Sequence, residues 1–231
     1  MSLPIEGQGG QVLQVDATHR AARVSARPLD HGTLGHYRIS VVTGTLAAAL
    51  AASAQVFQFK NTTTNLSVIH RIRTRFLPLT LFTAATLTDH TSFDAFMVRS
   101  YAAGGGGTTL TLTGNNAKLR TNMATCGSII NVSTTAALTA ATTLDANPFS
   151  QSIRKGNRVN PTAATEETIQ PTTDGLEFKP DVDAGEYPLV LAQNEGFVIR
   201  NRTVWPAAGT GILLIEVSWA EVATYDNVQL G

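Results

Sequence analysis

The sequence predicts an all-β protein, an antiparallel β-sandwich of jelly-roll or Greek-key type with an extended N-terminal arm and long loops. Three observations carry this expectation. Apolar and polar residues alternate with period two in several segments, as half-buried strands require. The polar surface comes mainly from Thr, Asn, Gln and Ser, and threonine's branched Cβ suits a pleated sheet better than a helix. No alternation of strands with long helical patterns appears, which argues against a parallel α/β sheet.

The 231 residues suit one large β domain, and 43% hydrophobic residues can bury a sizeable core. We expect an arm over residues 1–20 and a single sandwich over 21–231, with a long irregular excursion at about 134–183. The first stretch places Gly7, Gly9 and Gly10 among glutamines without periodicity, hence the arm. Arg23–Arg27 is a short strand candidate stopped by Pro28. LDHGTLGHYR, Leu29 to Arg38, reads as a turn feeding a strand: Gly32 and Gly35 permit positive φ, and Asp30 can bond nearby backbone amides.

Strands are then expected at His36–Thr43 and at Gln55–Lys60, where Phe57 and Phe59 share a face. Between them TLAAALAASA, Thr45 to Ala54, is the one helix-favouring segment, though short for an independent helix. The longest alternating run is LSVIHRIRTRFL, Leu66 to Leu77. Strict alternation puts Leu66, Val68, His70, Ile72, Thr74 and Phe76 on one face, with Ile69, Arg71, Arg73 and Arg75 on the other. Pro78 is expected to end the run.

Phe93–Tyr101, Thr109–Thr113 and Ser128–Ser133 follow as candidates, with GGGG at Gly104–Gly107 read as a linker. Through 134–183 the pattern weakens among small residues and Pro148, Pro161, Pro171 and Pro180. Loops so long are uncommon in a compact domain unless they bind something. The end is regular: YPLVLA, the Asn194–Glu195–Gly196 turn, FVIRN and GILLIEVSWAEV. A tight turn between two apolar runs predicts a hairpin.

Lys+Arg and Asp+Glu are both 17, and only 15% of residues are charged against about 25% in an average soluble protein. Zero net charge argues against whole-molecule attraction to nucleic acid or anionic membrane. The N-terminus lacks a signal peptide's basic and apolar regions, and no apolar run reaches the ~18–20 residues of a spanning helix. Synthesis in a cytoplasm is therefore expected. Cys126 is the single cysteine, which excludes intrachain disulfides and cysteine-based zinc clusters.

No catalytic constellation assembles. His31 and His36 lie five apart across two glycines, unlike paired ligands on one strand face, and His19, His31, His36, His70 and His90 show no ligand spacing. GxSxG and GxxxxGK[ST] are absent, and Glu166–Glu167 sit in loop-like sequence. We expect no enzyme, no cofactor and no metal. Arg71, Arg73 and Arg75 stand out as a candidate interface, since guanidinium forks pair well with carboxylates. No aromatic platform is interleaved with them, which argues against nucleic acid.

Three stretches, ARPLDHGTLGHYRIS, VIHRIRTRF and LVLAQNEGFVIRNRT, together resemble virion structural proteins of tailed bacteriophages. The resemblance implies a β-sandwich that serves as a capsid cement or decoration subunit, or in the tail. It further implies the major capsid protein or other virion subunits as partners, a homo-oligomer such as a trimer, and a place in the virion. The alternative it leaves open is a tail-associated, carbohydrate-binding host-recognition module. Such a module needs a shallow groove lined with aromatics, for which Trp205, Trp219 and four tyrosines are available.

Overall fold

The computed structural model describes residues 34–80, 92–101, 105–140, 143–154, 173–181 and 186–224. The chain divides into Met1–Asp30 and His31–Gly231. All of the first unit lies outside the described residues, and with it the expected arm and the Arg23–Arg27 strand. Asp30 and His31 of the opening turn lie outside them too.

The described chain is a two-sheet antiparallel β-sandwich. Its strands are β1 (Gly35–Val42), β2 (Gln55–Asn61), β3 (Leu66–Thr80), β4 (Phe93–Val98), β5 (Thr108–Thr109), β6 (Ser128–Val132), β7 (Ser150–Gln151), β8 (Ile153–Arg154), β9 (Thr173–Asp174), β10 (Glu177–Phe178), β11 (Leu189–Leu191), β12 (Gly196–Asn201) and β13 (Thr210–Val222). One sheet runs β1-β13-β3-β10, with β11 also on β3; the other runs β5-β6-β2-β12-β4-β7. β8 and β9 pair separately.

The core lies between the sheets and is built from alternate residues of both. β13 supplies Leu213, Ile215, Val217 and Trp219; β2 supplies Phe57 and Phe59; β12 supplies Phe197 and Ile199. Phe59 meets Trp219 edge-on at 5.3 Å across the layers, while within each sheet Phe59 stacks on Phe197 at 5.3 Å and Tyr37 stacks on Trp219 at 5.4 Å. Such pairs contribute about 0.5–1.5 kcal/mol each beyond the area they bury.

Several expectations change on contact with tertiary structure. Thr45–Ala54 forms no helix. Leu46 instead pairs with Gly211, and Ala49 and Ser53 take left-handed φ of 55° and 61°. That geometry costs about 1–2 kcal/mol per residue, and burial of Leu46, Leu50 and Ala54 in the core offsets it. The Asn194–Glu195–Gly196 turn exists, with Asn194 at φ 62°, but it makes no hairpin. β11 pairs with β3 in one sheet and β12 with β2 and β4 in the other, so the turn carries the chain across the sandwich. Its backbone bonds go to Asn61 at the end of β2: Asn194 N–H donates to the Asn61 carbonyl and Asn61 N–H to the Glu195 carbonyl.

The described parts of the 134–183 excursion contain regular pairing. β7 extends the six-stranded sheet on β4, and β10 extends the other sheet on β3. Phe149 meets Phe178 edge-on at 5.3 Å between them. The glycine tract is not a free linker at its described end: Gly105 N–H donates to buried Gln58, and a Cβ on Gly107 would lie 2.2 Å from the Val132 carbonyl oxygen.

Candidate functional site: the arginine face

β3 sets the site, and a β-bulge sets β3. Its register on β13 pairs Arg71 with Ser218 and Ile69 with Trp219, so His70 has no counterpart. An extra residue reverses the alternation at that point. Ile69 is therefore fully buried in the main core together with Ile72, while Leu66 and Val68 belong to a separate cluster with Val222. This corrects two placements: Ile69 is not on the arginine face, and Leu66 and Val68 do not share a face with Ile72. His70, expected on the apolar face, is half-buried at the bulge and stacks with His36 of β1 at 6.0 Å.

C-terminal to the bulge the expected alternation holds. Thr74 is buried and Phe76 is half-buried against Phe93 and Trp205. Arg71, Arg73 and Arg75 project from the opposite, outer side. The strand also continues through Pro78 to Thr80. Thr74 N–H donates to the Leu176 carbonyl, away from β13, so even-numbered amides here point outward and Pro78 removes no bond to β13.

Cross-strand register adds residues that a one-strand reading misses. Arg38 of β1 lies opposite Ser218, Glu216 opposite Arg73, Leu214 opposite Arg75, and Glu177 of β10 on the other side of Arg73. Arg71 bonds Glu177 at 2.6 Å, and Arg38 approaches Glu216 at 3.7 Å. Pairs this exposed contribute about 0–1 kcal/mol to stability. Among the described residues, Arg73 and Arg75 have no carboxylate within ion-pairing distance. Between them lies a shallow groove of about 130 Å³, lined by Arg73, Thr74, Arg75, Leu214 and Glu216. Apolar side chains nearby on the same sheet are open: Val42, opposite Leu214, and Leu77 and Leu79, further along β3, are 47%, 56% and 48% exposed.

The outer face of the opposite sheet is of another kind. Phe96, Val98 and Val198 are buried there with Tyr101 and Leu144. Gln58 is buried too, bonding the Thr139 carbonyl and Gly105 N–H. That face is already occupied by the chain itself.

The groups with acid/base potential sit elsewhere, inside the sandwich. Glu221 is 3% exposed and accepts hydrogen bonds from Gly127 N–H at 2.8 Å and Ser128 Oγ at 3.3 Å. Burial pushes its pKa up, and those bonds offset part of the rise. Burial likewise raises Tyr37, whose hydroxyl donates to the Ala124 carbonyl, and pushes the Cys126 thiol up to about 11. Glu221 was legible in outline, because the alternation Leu213, Ile215, Val217, Trp219 continues onto it. Trp205 and Trp219, the aromatics a glycan platform would have used, are both core residues. Among the described residues no three His, Cys, Asp or Glu side chains gather as metal ligands. His36 and His70 are the described members of the histidine set; His19, His31 and His90 lie outside the described residues.

Against known proteins, the chain matches no family model, and no curated protein or solved structure is significantly similar to it.

Proposed function

We propose that this chain is a non-enzymatic structural subunit of a tailed-bacteriophage virion, a capsid cement or decoration protein that attaches through the outer face of its β1-β13-β3-β10 sheet. The observation that carries the reading is the pair Arg73 and Arg75, uncompensated among the described residues and set beside exposed apolar side chains. An exposed surface combining unmatched cations with apolar area suits a protein partner better than bulk water. Weak contacts of this size become firm attachment when many copies engage a repeating lattice. The phage assignment itself is supported by the resemblance of the three sequence stretches given above.

The test is localisation followed by binding. Immunogold label against this chain should decorate purified particles of the virus that encodes it. Label found only on free protein in the lysate would overturn the proposal. With particles in hand, Arg73→Ala should lower the fraction of protein that pellets with them, and its difference from wild type should shrink at high salt, because exposed charge contacts are screened.

A further inference from the structure

We infer that the groove between Arg73 and Arg75 is a docking site for an acidic, aliphatic segment of a partner protein, one carboxylate entering between the two guanidinia while flanking apolar side chains cover Leu214, Leu77 and Val42. The inference rests on the reading of this face as an attachment surface and specifies the partner's chemistry.

Residues two apart on a strand are separated by about 6.6 Å, which lets two guanidinia on long side chains converge on one carboxylate or hold two neighbouring ones. Arginine is suited to this, since its planar fork offers parallel N–H donors to a carboxylate. The local acids are committed or mismatched: Glu177 is held by Arg71 at 2.6 Å, and Glu216, opposite Arg73, lies 3.7 Å from Arg38. The groove therefore presents positive charge that the described chain leaves unmatched.

The floor and rim decide between kinds of anion. Leu214 lies in the groove, and Val42, Leu77 and Leu79 stand about half exposed around that end of the sheet. A nucleic-acid backbone would gain little from this apolar surface. Its affinity comes from neutralising several phosphates, about 6–10 in a typical site, whereas two unmatched arginines on a chain of zero net charge offer few. A second copy docked face to face would bring arginine row against arginine row, with like charges opposed. A protein segment with carboxylates between aliphatic residues satisfies both halves of the surface.

The experiment uses the full chain, isotope-labelled, with arginine side-chain and methyl signals followed by NMR. The probes are a blocked peptide of alternating leucine and glutamate, its serine–glutamate counterpart, and an oligothymidylate. The leucine–glutamate peptide should shift Arg73, Arg75, Leu214 and Val42 together. The doubly substituted variant Arg73→Gln, Arg75→Gln should bind it at least about tenfold more weakly, a loss of about 1.4 kcal/mol. Arg73→Lys, Arg75→Lys, which keeps charge without the fork, should recover only part. Val42→Ser, on β1 across β13 from the arginines, gives a second reading if the double variant fails to fold, and should also weaken the peptide. No shift with the leucine–glutamate peptide overturns the inference, as does equal binding of the serine–glutamate peptide. Saturable oligothymidylate binding at this face, or concentration-dependent self-association through it, also overturns it. Failure of this inference and of the virion reading remain distinct. Decorated particles with no peptide binding sink the acidic-segment idea alone, and peptide binding with undecorated particles sinks the virion assignment alone.

Discussion

Ile69→Ala separates the bulged strand from a regular one. Unbroken alternation from Leu66 puts Ile69 on the surface with Arg71, where truncation changes stability by no more than about 0.5 kcal/mol. The bulge at His70 puts it in the core, fully buried, opposite Trp219 on β13 and Leu189 on β11. Removing three carbons there forfeits about 0.8 kcal/mol each, some 2.4 kcal/mol in transfer free energy. A partly collapsed cavity adds about 1 kcal/mol more. The expected loss is about 3–4 kcal/mol, or roughly 6–16 °C in Tm for a domain of this size. Thermal and urea unfolding should be run beside Ile129→Ala, whose side chain on β6 is 42% exposed and whose loss should stay within about 0.5 kcal/mol. If Ile69→Ala melts with the wild type, the bulge is wrong and Ile69 belongs on the arginine face.

Three further outcomes follow from other parts of the fold. Burial raises the pKa of Glu221, so the folded chain holds that proton more tightly than the unfolded one. Its contribution is complete below the ordinary value of 4.5 and is lost as pH rises through the folded pKa. The stability of wild type relative to Glu221→Gln should therefore fall with rising pH, and a difference that grows instead would show the carboxylate is favoured in its charged form. Gly196→Ala should destabilise by at least about 1–3 kcal/mol, because its Cβ would lie 1.9 Å from the Phe59 carbonyl oxygen; a wild-type urea midpoint would refute that close approach. Phe76→Ala should cost about 2–3 kcal/mol, less than the ~3–5 kcal/mol of a fully buried phenylalanine, since Phe76 is half-buried against Phe93 and Trp205. A melt unchanged from wild type would place that ring in solvent.

What the sequence by itself determined is the class of structure and most of its strands. The strands expected at His36–Thr43, Gln55–Lys60, Phe93–Tyr101 and Gly211–Val222 correspond to β1, β2, β4 and β13 with ends shifted by one to three residues, because alternation is a local property that backbone geometry reads directly. The outward direction of Arg71, Arg73 and Arg75 was legible for the same reason. So was the turn at Asn194, whose left-handed φ suits asparagine.

Tertiary structure alone decided the rest, and in each case the local signal fitted two answers. Val68 and Ile69 are both apolar, so the hydrophobic pattern accepts either phase of β3; the register that places Trp219 inside, opposite Ile69, selects one. Thr45–Ala54 has helical propensity, but propensity amounts to tenths of a kcal/mol per residue, and burying Leu46 and Leu50 outweighs it. A tight turn says that the chain reverses, not which sheet each arm joins, and Asn61 beside the turn settles that. The candidate site depends most on distant partners. Arg73 and Arg75 acquire their meaning from Leu214 and Glu216 across the strand pair, because a surface is made by residues adjacent in space whose sequence separation carries no signal.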